Sequence, residues 1–157
     1  MKIKVIGVGQ SLRGDDAAGL EAVRMWQKEY PRTSGRPDVR VEISELPGLA
    51  LLQLLEGVDA AVLVDSVKSR SKPGTIQRVN IDQLNAFASD SKSAHGWGIA
   101  ETIQLDRVLH PERPPVDIRF IGIEAQQMNL GEALSPSVRQ ALPIASEFIE
   151  AEVNQLL

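Results

Sequence analysis

The segment Ala60-Ala61-Val62-Leu63-Val64 is an unbroken apolar run that stops at Asp65. A strand with one wet face alternates apolar and polar side chains. A short continuous run instead suits a strand covered on both faces, as in a parallel sheet sandwiched by helices. Such a strand requires helices on either side of it in the chain, and the flanking sequence supplies them.

Lys2 to Val8 reads as a first strand, closed by Gly7-Val8-Gly9. Asp15 and Asp16 then open a helical pattern with Leu20, Val23 and Trp26 on its apolar side. Pro31 through Pro37 reads as a loop, and Val39 to Ile43 alternates like a second strand. Pro47-Gly48 opens a helix whose broad apolar face is Leu51, Leu52, Leu54 and Leu55. Beyond the central run, Ser66 to Gly74 is loop-like and Ile76 to Val79 forms a short extra strand. Phe87 to Ala94 reads as a polar loop, Ile99 to Leu109 as a helix and Val116 to Ile123 as the last strand. Ser135 to about Glu152 closes the chain as a helix, with serine as the cap and Pro136 in the first turn. Strands alternating with helices imply an α/β layered domain with a mostly parallel sheet. The 157 residues contain no internal repeat or domain-splitting linker, so residues 1–157 read as a single domain.

Composition narrows the chemistry. Apolar residues make up 43% and charged residues 24%, which is globular rather than disordered. No apolar run approaches the ~20 residues that cross a bilayer, so no membrane span is expected. Met1-Lys2-Ile3-Lys4-Val5 passes straight into a strand rather than a signal peptide, and the expected location is cytoplasmic. There are no cysteines, which removes disulfides, thiolate metal sites and a cysteine nucleophile together. A net charge of -4 without a dense basic block gives a nucleic-acid partner no electrostatic support.

In open α/β sheets ligands bind beyond the carboxyl ends of the strands. Asp15 and Asp16 follow the first strand through Gly9-Gln10-Ser11-Leu12-Arg13-Gly14. Asp65 terminates the central run, and His95 lies in Ser93-Ala94-His95-Gly96-Trp97-Gly98, just before a helix. Each has a bland reading: helix capping for Asp15 or Asp16, a turn cap for Asp65, a polar loop residue for His95. Adjacent helical positions point about 100° apart, so Asp15 is expected to cap while Asp16 projects towards the site. His110, at a helix end before Pro111, reads as a solvated residue. Gly7, Gly9 and Gly14 are poorly spaced for a dinucleotide turn, and two aspartates stand where a pyrophosphate would need the helix amino terminus. Taken as a set, two carboxylates and an imidazole suit a divalent metal such as zinc or nickel, or activation of a water for hydrolysis.

The stretches Val5-Ile6-Gly7-Val8-Gly9-Gln10-Ser11-Leu12-Arg13-Gly14-Asp15-Asp16-Ala17-Ala18-Gly19, Val62-Leu63-Val64-Asp65-Ser66 and Ser93-Ala94-His95-Gly96-Trp97-Gly98-Ile99 resemble the hydrogenase maturation endopeptidases of the peptidase M52 type. Gly122-Ile123-Glu124 and Leu134-Ser135 extend the resemblance over nearly the whole chain. It implies a three-layer α/β/α sandwich around a twisted, mostly parallel sheet. It also implies removal of the C-terminal extension of a nickel-iron hydrogenase large-subunit precursor after nickel insertion. Asp16, Asp65 and His95 then correspond to the family's metal-binding triad. Nickel would be supplied by the precursor, although zinc or cadmium could occupy the same donors. Where the family usually has asparagine this chain has Gln10, which keeps the amide on a longer side chain and bears on substrate choice. Asp16 is likewise shorter than the glutamate of some relatives.

These residues lead to a hydrolytic expectation: a metal contacted by Asp16, Asp65 and His95 polarises a carbonyl or activates a water near the scissile bond. Gly7 and Gly9 are expected to keep the loop low enough for a protein tail to approach. Asp16 is favoured over Asp65 as the base because its loop is the more exposed. The competing expectations are a non-catalytic nickel-sensing or chaperone-like module for hydrogenase assembly, and a related-fold peptidase acting on another precursor, such as the spore-protease relatives.

Overall fold

A computed structural model describes residues 1–45, 50–80, 92–93 and 99–157. The strands are β1 (Ile3–Val8), β2 (Val39–Ser44), β3 (Ala60–Lys68), β4 (Ile76–Asn80), β5 (Lys92–Ser93) and β6 (Asp117–Glu124). The helices among the described residues are α1 (Ala18–Glu29), α2 (Pro31–Ser34), α3 (Ala50–Leu54), α4 (Ile99–Leu109) and α5 (Pro136–Leu156), with a 3-10 turn at Gly14–Ala17. The sheet runs β2-β1-β3-β6-β4, and β5 pairs with the extended end of β3. β1, β2, β3 and β6 are parallel, whereas β4 lies antiparallel on β6 and β5 antiparallel on β3.

The central run behaves as its composition demands. Ala60, Ala61, Val62, Leu63 and Val64 are all fully buried. Successive residues feed opposite layers, as period-two geometry requires. Val62 and Val64 join Ile3, Val5, Ile121 and Ile123 under α1 and α5. Ala61, Leu63 and Val67 join Ile6, Ile118 and Phe120 under α3 and α4. Three layers result, α1 and α5 on one face of the sheet and α3 and α4 on the other. Trp26 is completely buried in the first layer, and its Nε1–H donates to Glu150 Oε2 on α5 at 2.8 Å. Burying that ring contributes on the order of 5 kcal/mol before entropic costs.

Several boundaries differ from expectation for physical reasons. β3 does not end at Asp65 but continues to Lys68, because β6 pairs with it through Val67 and β5 through Lys68. Lys92 and Ser93, read as loop, are strand for the same reason. Pro31–Ser34 is one helical turn rather than loop, with Pro31 in a position where its missing N–H costs nothing. The helix expected from Pro47-Gly48 is described from Ala50, so its start lies outside the described residues, as does most of the loop expected at Phe87 to Ala94. α4 has the bounds expected of it. No described helix is long and apolar enough to cross a membrane.

Candidate active site

The strand order creates a switch point. From β1 the chain leaves through α1 on one face, whereas the connection from β3 to β6 carries α4 on the other. Between the carboxyl ends of β1 and β3 the two connections diverge, and a crevice at such a place is where open α/β sheets hold ligands. β1 stops pairing with β3 at Gly7 and Val64, while β3 runs on. Asp65 and Ser66 are the next two residues of β3, beyond the end of that pairing.

Asp16 is brought to this place by the 3-10 turn that follows the loop from Gly9. Two glycines allow the approach. A Cβ on Gly9 would lie 2.0 Å from the Asp16 carbonyl oxygen, and one on Gly19 would lie 2.3 Å from the Val64 carbonyl oxygen. Neither distance is compatible with a side chain, so both glycines let the start of α1 press onto the strand ends. Space beside Gly7 is also used by the chain itself, since a Cβ there would be 3.0 Å from the Gly19 carbonyl. The glycines at 7, 9 and 19 therefore seat the start of α1 against the strand ends.

The two aspartates divide their work, though differently from the expected cap-and-project arrangement. The 3-10 turn has no side-chain cap. Asp15, fully buried, accepts at Oδ1 from the Ser135 backbone N–H at 2.7 Å and at Oδ2 from the Ser135 hydroxyl at 2.7 Å. Its Oδ2 also accepts from Gln126 N–H at 2.8 Å and Gln127 N–H at 3.1 Å. Asp15 thus ties the loop after β1 to the loop after β6 and to the start of α5, where the helix dipole favours its charge. Ser135 spends its hydroxyl on Asp15 and makes no side-chain cap of its own helix.

Asp16 is 2% exposed, and its Oδ1 accepts from the Ser66 hydroxyl at 3.0 Å. Asp65 is 1% exposed. By strand alternation Ser66 belongs to the α1 side of the sheet and Asp65 to the α3–α4 side. Exposure does not separate the two carboxylates, so it gives no reason to prefer Asp16 as the base. His95 lies outside the described residues. Among the described residues no three His, Cys, Asp or Glu side chains are grouped to hold a metal ion.

Gln10 turns outward from this centre. Its Nε2 donates to the Glu45 carbonyl at 2.6 Å, and Ser11 N–H donates to the Glu45 carboxylate at 2.7 Å, so the loop is fastened to the end of β2. Hydrogen bonding from Ser11, hydroxyl first and then backbone, holds the Glu45 carboxyl below its ordinary value. His110 is remote, lining a cleft with Leu55 and Val116 at the amino end of the sheet. Two polar residues carry contacts that their places in the quoted motifs do not announce. Ser66 was visible only as the neighbour of Asp65. Glu124, 1% exposed, closes β6 by accepting from Ser69 N–H at 2.8 Å and from its hydroxyl. Neither partnership has a sequence signal, because the partners lie 50 and 55 residues apart.

Residues 46–152 match a family model described as hydrogenase maturation protease, HycI. The chain is 27% identical over 148 residues to the hydrogenase expression/formation protein HupD of Thiocapsa roseopersicina, covering 93% of this chain. It spans 65% of the length of that relative. It is 25% identical over 158 residues to the hydrogenase 2 maturation protease of Escherichia coli, covering 99% of this chain and 92% of the relative. Among solved structures, the [NiFe] hydrogenase maturation protease HybD from Thermococcus kodakarensis is similar with a TM-score of 0.73 at 26% identity, over 98% of this chain and 99% of that one. The hydrogenase maturating endopeptidase HybD from Escherichia coli shares the fold with a TM-score of 0.83 at 22% identity, over 99% of this chain and 93% of that one.

Proposed function

The chain belongs to the hydrogenase maturation protease family, and from that premise we propose that it is an endopeptidase that cuts the C-terminal extension from a nickel-iron hydrogenase large-subunit precursor. The substrate is the precursor with nickel already inserted, and that ion is the mark the protease reads. Asp16, Asp65 and His95 are the side chains that meet it, two offering carboxylate oxygens and one an imidazole nitrogen. That donor set suits a borderline divalent ion and leaves room for ligands from the precursor. Hydrolysis adds water across one peptide bond. A carboxylate at the switch point takes the proton from that water, and the leaving amine recovers one. Asp15, Gly7, Gly9 and Gln10 support the loop that carries Asp16.

The observation that supports this reading best is the hydrogen bond joining Asp16 to β3 one residue from Asp65. It anchors Asp16 to the strand that carries Asp65, 49 positions away in sequence. Because both are buried, the precursor must bring its ion deep against the strand ends. The test is incubation of purified protein with nickel-loaded large-subunit precursor, reading C-terminal trimming by mass spectrometry. Wild type should trim, and Asp16→Ala, Asp65→Ala and His95→Ala should each slow trimming by at least the roughly 10- to 100-fold typical of losing a partner that merely orients a metal ligand. Trimming by all three variants at the wild-type rate would show that the site lies elsewhere. A protein that captures the nickel-loaded precursor without cutting it would be an assembly factor instead.

A further inference from the structure

Ser66 is completely buried, yet it is a polar residue placed in the same layer as Val62 and Val64. A buried hydroxyl needs a partner, and the one it has is the carboxylate of Asp16, 3.0 Å away. The two residues are held face to face by backbone contacts that neither can relax. Gly19 seats α1 against the Val64 and Val8 carbonyls, and Gly9 admits the Asp16 carbonyl. Asp65, the residue before Ser66, points to the other side of the sheet. One dipeptide of β3 therefore carries a carboxylate on one face and a donor for the second carboxylate on the other.

We infer that Ser66 is a positioning residue for the reaction, a role that rests on the protease reading above. Its hydroxyl fixes the rotamer of the Asp16 carboxylate, the group that would contact the precursor's ion together with Asp65. A hydrogen bond to a charged acceptor is about twice as strong as a neutral one, which gives the hydroxyl the leverage to do this. β3 thereby sets both carboxylates from adjacent residues, and their separation is governed by strand geometry rather than by loop conformation.

The experiment compares wild type with Ser66→Ala, Ser66→Thr, Asp16→Ala and the Ser66→Ala/Asp16→Ala double variant. Each is assayed for trimming of nickel-loaded precursor, for Ni²⁺ binding by calorimetry and for thermal unfolding. Loss of the hydroxyl should lower both the trimming rate and Ni²⁺ affinity by roughly 10- to 100-fold, the range for partners that orient metal-contacting side chains. Ser66→Thr retains the donor and should restore most of both. In the Asp16→Ala background Ser66→Ala should change Ni²⁺ affinity no further, since Ser66 acts through Asp16. If Ser66→Ala trims at the wild-type rate while Asp16→Ala does not trim, the positioning role is wrong and the protease reading stands. If Ser66→Ala and Ser66→Thr are equally slow and equally unstable, the residue only packs, and the role is again wrong. If Asp16→Ala trims like wild type, or wild type trims nothing, the site or function assignment fails and this inference fails with it.

Discussion

Asp15 and Asp16 are chemically identical neighbours, and their surroundings give them different tasks. Asp15 gathers donors from Gln126, Gln127 and Ser135, all brought from more than 100 positions away. Its removal would strand the buried Ser135 N–H and hydroxyl and two part-buried N–H groups at once. Asp15→Ala should therefore destabilise the protein by about 3 kcal/mol or more in urea unfolding, the scale for buried donors left unpaired. Asp16→Ala removes the acceptor of the Ser66 hydroxyl and should affect trimming more than stability. A reversed ranking would mean that the two aspartates had been assigned the wrong way round. The sequence exposed both carboxylates and the 100° between adjacent positions, but it offered no means of seeing which partners each would find.

At the scale of an element, α1 matters because of how closely it sits on the sheet. Its apolar face of Leu20, Val23 and Trp26 is fully buried, as the helical period indicated. The approach itself is permitted by Gly19, where a Cβ would meet two backbone carbonyls that cannot move aside. Gly19→Ala should lift the start of α1 and destabilise the fold by about 3 kcal/mol, the upper range for overpacking. Because Asp16 precedes this helix start, the same variant should also slow precursor trimming beyond what its stability loss explains. Normal trimming by folded Gly19→Ala protein would detach the helix seat from the site. β3 illustrates the complementary case. Local propensity places a strand end at aspartate, and only pairing with β6 and β5 carries the strand on to Lys68.

For the molecule as a whole, Asp38, Glu45 and Tyr30 shape how stability responds to pH. The Asp38 carboxyl is held below its ordinary value, chiefly by hydrogen bonding to Arg36, and Glu45 is lowered by Ser11. A depressed carboxyl contributes stability that is full above its ordinary pKa and fades as pH falls through the folded value. The Tyr30 phenol moves the other way, raised first by burial and then by Glu147, Glu29 and Glu150. Its contribution is full below pH 10, the ordinary value, and is lost as pH rises through the raised one. Unfolding free energy should therefore be level near neutrality and decline at both extremes. Asp38→Asn and Glu45→Gln should flatten the acid limb, and Tyr30→Phe the alkaline one, in urea titrations across pH. Unchanged limbs in these variants would place the pH sensitivity in other groups.

The amino-acid sequence by itself determined the layered α/β class, most helices and strands, and a family relationship. These follow from short-range periodicity and from motifs read in order, which need no knowledge of distant partners. Tertiary structure alone decided that β3 continues past Asp65, that the glycines seat α1, that Asp15 serves the start of α5, and that Ser66 holds Asp16. Each is a contact between groups far apart in the chain, made possible by strand order and by the space missing side chains leave. A local pattern carries no signal for such a contact, because its free energy exists only once both partners have been folded into place.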